Sequence, residues 1–266
     1  MPTITIKFDT VDFGATPESW HEASPIRISQ QEVPDRFGAV VMAPPVLGGR
    51  RVMITGTIFG VSLQDARDQM DIIRKRIFTG KRGKLYFWDD RYLNSYVIGD
   101  PKFTPVAGST GLLWDYSIEF LGDDPFWYST TAFDQSTVVT AGSADATLDA
   151  TGQIYRKDIS VNNTGNAFSY GIFTITADQG TSLVNPTRIT NTTLTGSPFF
   201  HYNGTVSATK VLKIDFGQFI VTNDAVKDMN NILIGSTTLW FEAGVNTIRY
   251  EGRPCTVKIQ FTPRSY

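Results

Sequence analysis

Only one stretch of this chain, Ser62 to Phe78, carries the three-and-four spacing of an amphipathic helix. Most of the remaining ordered pattern alternates with period two, so the spacing predicts a mainly β protein with a single helix. Leu63, Ala66, Met70, Ile73 and Ile77 form one stripe of that helix. Ser62 stands at the N-cap with Asp65 as its reciprocal partner, although Glu is commoner there. Asp65, Asp68 and Asp71 precede Arg74, Lys75 and Arg76, which suits the helix dipole, and Gly80 supplies the stop.

Around the helix the pattern is strand-like. Ile4, Ile6 and Phe8 alternate with Thr3, Thr5 and Lys7, and Arg50 to Phe59 reads as a strand. Lys84–Trp88 and Tyr92–Ile98 flank Asp89-Asp90-Arg91 as a hairpin. Leu112 to Leu121 follows with Trp114, Tyr116, Ile118 and Phe120 on one face, and Pro125 ends it because proline has no N–H for the ladder. Thr16 to Pro45 holds five prolines and reads as irregular, with short strands at Ile26–Ile28 and Ala39–Met42. Ser129 to Gly152 is poor in charge and rich in Thr, Ala, Ser and Gly. It reads as a linker, with one short strand at Thr137–Thr140, between a domain at 1–128 and another at 153–266.

In the second half, Leu212, Ile214 and Phe216 alternate outward and inward with their neighbours. Gly217-Gln218 reads as a two-residue turn, and Phe219 to Val221 returns. Ile248 and Tyr250, then Val257, Ile259 and Phe261, repeat the alternation. Short strands at this spacing without another helix predict a β-sandwich.

Composition narrows the function. Hydrophobic residues make up 41% and charged residues 19% of 266, enough for a buried core, and the Thr-, Ser-, Asn- and Gly-rich remainder is typical of strands and turns. The formal net charge of -2, with basic clusters only at 74–76 and 81–84, argues against tight sequence-specific binding of nucleic acid. Cys255 stands alone, so no intrachain disulfide or thiolate zinc site can form. No signal-peptide pattern opens the sequence, and no apolar run approaches the roughly 20 residues of a bilayer span, which predicts synthesis in a cytoplasm and no membrane role.

The residues do not lay out an active site. His21 and His201 lie in no catalytic motif. Asp89-Asp90 and Asp123-Asp124 are adjacent pairs, whereas glycoside hydrolysis needs carboxyls facing across a cleft. No phosphate-binding glycine loop, calcium loop or paired histidine ligands appear, so no cofactor or metal is expected and the chain reads as a non-enzyme. Carbohydrate binding is the competing reading: Tyr202 and Trp240, with Phe199, Phe200 and Phe241, could stack sugar rings. His201-Tyr202-Asn203 and Trp240-Phe241-Glu242 loosely match galectin elements, but the arginines that should follow are missing, and sandwich aromatics are usually core.

Taken in order, the residues resemble the distal tail protein (Dit) family of long-tailed bacteriophages. The likeness is carried by Arg51-Val52-Met53-Ile54-Thr55-Gly56, the Ser62–Phe78 helix, Leu85-Tyr86-Phe87-Trp88, and Tyr116–Phe120 leading to Asp124-Pro125-Phe126-Trp127. Gly244-Val245-Asn246-Thr247-Ile248 and Val257–Phe261 extend it through the second half. The resemblance implies an N-terminal β-barrel or sandwich that forms a belt around a channel, usually as a hexamer, and a galectin-like C-terminal β-sandwich. It implies a tail-tip hub joining the tail tube protein to baseplate and receptor-binding proteins, located in the virion tail. A closed ring needs two complementary surfaces on each copy, and Arg50, Arg51, Tyr86, Trp88, Asp124, Pro125 and Trp127 are the candidate ring-interface residues. A channel that passes DNA should be neutral or acidic.

Overall fold

The computed structural model describes residues 6–13, 19–23, 26–27, 30–32, 39–41, 46–87, 90–140, 145–149, 152–178, 182–183 and 187–266. The chain divides into two compact units, Met1–Thr130 with Tyr266, and Thr131–Ser265.

The first unit is built on one antiparallel sheet. Its strands run in the order Val11–Asp12, Ile6–Phe8, Arg82–Phe87, Arg91–Val97, Leu113–Gly122, Arg51–Phe59, Ser19–Ala23. Lys102–Pro105 lies beside Leu113–Gly122, and Trp127–Ser129 beside Arg91–Val97. The expected barrel does not close: the path is open, with Val11–Asp12 at one end and Ser19–Ala23 at the other. Strict alternation sends Val52, Ile54, Ile58, Tyr116, Ile118, Phe120, Leu85, Phe87, Leu93 and Val97 to one face, where Met70 and Ile77 close over them. At Gly56 a Cβ would stand 2.6 Å from the Tyr116 hydroxyl, so the glycine is what lets that ring lie across the neighbouring strand.

The helix runs Leu63–Arg76. The Ser62 hydroxyl accepts from the Asp65 N–H at 3.1 Å and the Asp65 carboxylate from the Val61 N–H at 2.9 Å. It stops before Phe78 because Ile77 turns extended and buries completely. Leu63, expected in the buried stripe, is exposed. The segment read as irregular contains more strand than its prolines suggested. Ile26–Arg27 pairs with Val46–Leu47, Gln30–Glu32 pairs with Ala39–Val41, and Ser19–Ala23, which holds His21, pairs with Arg51–Phe59. No helix among the described residues is long and apolar enough to cross a membrane.

The second unit packs two antiparallel sheets around a shared core. One runs Phe133–Val139, Cys255–Phe261, Ile172–Ala177, Val211–Asp215, Ile220–Asn223, Val226–Lys227; the other Asp145–Asp149, Gly152–Asn163, Gly244–Gly252, Thr187–Asn191, Phe199–Tyr202. Phe173, Ile175, Leu212, Ile214, Val257 and Ile259 from the first sheet meet Ile159, Val161, Ile189, Phe200, Ile248 and Tyr250 from the second, which makes a sandwich. Part of the 129–152 stretch, read as a linker, is strand. Phe133–Val139 pairs along its whole length with Cys255–Phe261, from Phe133↔Phe261 to Val139↔Cys255, and its low charge suits a strand with one solvated face. The turn after Asp215 is also longer than two residues, since Asp215 pairs with Ile220. Phe216 buries its ring against Phe173 and Phe200, and Phe219 takes the positive φ.

Candidate functional site

The outer face of the first unit's sheet, away from the helix, carries a row of tyrosines. Backbone register sets Tyr86 opposite Tyr92 and Tyr92 opposite Tyr128, so three rings from three neighbouring strands line up. Their centroids are 5.8 and 5.6 Å apart, the second pair stacked at 20°. All three are half-buried. Lys7 lies in register beyond Tyr86, and the Lys84 ammonium sits 4.0 Å above the Tyr92 ring, a cation–π contact that holds the lysine over the platform. The Tyr128 hydroxyl donates to Asp124, whose other oxygen accepts from the Phe126 N–H at 3.0 Å. One carboxylate therefore fixes both the turn and the last ring of the row.

Behind this row the opposite face is sealed. Trp127 is 2% exposed and packs on Phe87 at 5.7 Å. The guanidinium groups of Arg50 and Arg91 lie 5.9 and 5.6 Å from its ring. Arg50 is 6% exposed; burial lowers its pKa, the neighbouring Arg91 adds to that, and Asp124 opposes it.

The candidate interface residues thus separate into three groups. Arg50, Pro125 and Trp127 are buried within the chain, Trp127 against Phe87 and near the Arg50 guanidinium. Tyr86 and Asp124 belong to the tyrosine row itself, and Arg51 is exposed on the same face, paired with Glu119 at 3.0 Å. Trp88 lies outside the described residues. Sequence reasoning missed Tyr92 and Tyr128, which only strand register brings beside Tyr86. It also missed a corner where the Arg51–Phe59 strand turns into the helix: Phe59, Val61 and Leu63 are 63%, 82% and 52% exposed there.

The second unit's outer face is different in kind. Arg156, Glu251, Arg188 and His201 stand in register across four strands, with Asp158, Arg249, Thr190 and Phe199 in the next row. Arg156 donates twice to Glu251, at 3.1 and 3.0 Å, and Arg249 grips Asp158 bidentately at 2.8 and 3.0 Å. The Arg249 hydrogen bond lowers the Asp158 pKa. Arg188 lies 3.9 Å from Glu251 and 4.4 Å over the Phe199 ring. The His201 Nε2 is buried without a hydrogen-bond partner; burial and then Arg188 lower its pKa against the opposing pull of Glu251.

The two candidate sugar contacts do not form a platform. Tyr202 is completely buried: its hydroxyl donates to Asp228 at 2.6 Å and accepts from Asn223 at 3.0 Å, and burial with the Asp228 bond pushes its pKa up to about 12. Trp240 is half-buried in a two-residue pairing with Ser169–Tyr170. An aromatic closed inside a sandwich cannot stack on a ligand, which corrects the expectation for Tyr202. Among the described residues, no group of three or more His, Cys, Asp or Glu side chains is placed to hold a metal ion.

No family model matches the sequence, and no curated protein matches it. Solved structures do. A chain of the phage P2 baseplate in its activated conformation with calcium aligns at a TM-score of 0.40 and 13% identity over 97% of each chain, a score too low to equate the folds. The crystal structure of the SPP1 Dit (gp 19.1) protein, described as a paradigm of the hub adsorption apparatus in phages infecting Gram-positive bacteria, aligns at a TM-score of 0.69. It is 17% identical and the alignment covers 98% of both chains. From end to end, then, the chain has the mainly β fold of a phage Dit hub protein.

Proposed function

We propose that this protein is a structural hub of a phage tail tip. Copies assemble into a ring, a hexamer in the Dit pattern, through the first unit; the ring joins the tail tube to baseplate and receptor-binding proteins, and DNA passes through its channel. The observation that carries the reading is the end-to-end fold correspondence with SPP1 Dit, which spans both units in one alignment. Two features of the chain support it. The first unit keeps a rigid aromatic face outward, of the kind enriched at protein interfaces. The nearly balanced net charge of -2 suits a channel that DNA must not adhere to. The second unit is a galectin-like sandwich whose role is placement of partners rather than catalysis, and the protein resides in the virion tail.

Light scattering after size exclusion, with negative-stain images of the peak, tests this. The expected species has six times the 29.5 kDa chain mass and a central hole. A chain that stays monomeric both alone and mixed with tail tube protein contradicts the proposal.

A further inference from the structure

We propose that the second unit carries a binding site for a short neutral saccharide, an open cavity on the outer face of its Val211–Asp215 and Ile220–Asn223 strands. The site uses neither Tyr202 nor Trp240. It also stands apart from the ring reading, because the cavity lies within one copy.

Alternation builds the floor. Leu212, Ile214 and Val221 go into the core, so Val211, Lys213, Asp215, Ile220 and Thr222 face outward. Register sets Asp215 beside Ile220 and Lys213 beside Thr222, and the Asp224 N–H continues the ladder to the Val211 carbonyl at 2.8 Å. Over these three rungs the surface hollows into a cavity of about 540 Å³, the size of a small-molecule site. From Asp215 to Val211 it runs about 13 Å along the strand, the length of a disaccharide.

The wall at one end is a two-residue hairpin turn, Asp224-Ala225, closed by the pairing of Asn223 with Val226. Both turn residues have positive φ, 49° and 66°, where such a turn ordinarily takes Asn-Gly. Side chains are therefore kept at strained positions, and both of them line the cavity.

The lining selects the ligand by exclusion. Lys213 is exposed, and its ammonium has no partner among the described residues. One Asp215 oxygen accepts from the Gln218 N–H at 3.0 Å, which fixes the carboxylate and leaves the other oxygen free to accept. Asp224 pairs with Lys210 at 2.7 Å, so the charges around the cavity balance. An anion would meet two carboxylates, a cation would meet Lys213, and a wholly apolar ligand would strip water from all three. A sugar suits every group: its hydroxyls donate to Asp215 and accept from Lys213 and Thr222, while its C–H faces lie on Val211, Ile220 and Ala225.

The test is methyl-resolved NMR of the full chain, which reads Val211, Ile220 and Ala225 whether it is monomeric or assembled. The probes are glucose, galactose, N-acetylglucosamine, cellobiose, lactose and chitobiose, with sodium phosphate and sodium acetate as the anion arm. At least one sugar should shift these three methyls saturably with a Kd of about 1 mM or tighter. Lys213→Met should weaken that binding about tenfold, the loss of one charge-assisted hydrogen bond, and Thr222→Val should weaken it less. Val245→Thr, at a 62% exposed position on the other sheet, should leave it unchanged. No shift with any of the sugars overturns the proposal, as does a sugar bound equally well by Lys213→Met. Shifts with phosphate or acetate alone make the cavity an anion site and overturn it too. A chain that binds sugar but forms no ring keeps this site and contradicts the hub reading, and a ring without sugar binding does the reverse.

Discussion

The outer faces of the two units solve the same problem with opposite chemistry. Each sheet must show one side to solvent. The second unit covers that side chiefly with ion pairs, Arg156 with Glu251 and Arg249 with Asp158, and sets the Arg188 guanidinium over the Phe199 ring. The first unit covers its side with three aligned tyrosines whose rings contact each other and a lysine, and whose area is only half hidden. Paired charges in register leave little for a partner to gain, because a newcomer must first break bonds already made. Rigid aromatics held by a buried support offer area at small entropic cost. The difference teaches that self-pairing, more than polarity, separates a finished surface from one built for contact.

Substitutions should divide along that line. Trp127→Ala removes the ring behind the platform and should cost about 3–5 kcal/mol, read as an earlier denaturant transition with loss of association. Asp124→Ala leaves the Tyr128 hydroxyl and Phe126 N–H to find water and should cost about 1–3 kcal/mol, again with weaker association. Glu251→Gln takes the shared carboxylate from Arg156 and Arg188, both partly exposed, and should cost about 1 kcal/mol or less without changing the oligomeric mass. An equal loss of association from Glu251→Gln and Asp124→Ala would break the comparison.

The smallest effect is a pH dependence confined to the second unit. The folded-state pKa of His201 lies below 6.5, so the unfolded chain binds the proton more readily. Its contribution is complete above pH 6.5, falls as pH drops from there, and levels off once the depressed folded pKa is passed. Thermal melts at pH 7.5 and 5.5 should converge in His201→Gln relative to the native chain. An unchanged pH gap would show that His201 does not carry it.

Much of this was legible beforehand. The helix, its cap, the hairpin and the late strands follow from periodicity and capping, which are local. The open sheet, the strand at Ser19–Ala23 and the long pairing of Phe133–Val139 were not, because strand pairing is non-local and Ser-Trp-His-Glu-Ala has no clean alternation. The site was half visible. Tyr86 and Asp124, expected at a ring interface, lie in the tyrosine row, whereas Trp127 and Arg50, expected there too, are buried, because burial of a terminal aromatic is set by packing that its local sequence does not show. Tyr92 and Tyr128 become neighbours of Tyr86 only through register, where a one-residue slip would have sent each to the opposite face.

Hydroxyl-radical footprinting of the assembled protein against the diluted, dissociated chain tests the central claim most directly. Tyr86, Tyr92 and Tyr128 should become protected on assembly, while Phe199 on the second unit's ion-paired face keeps its reactivity. Assembly that leaves the tyrosines fully reactive, or that protects Phe199 instead, would contradict the account.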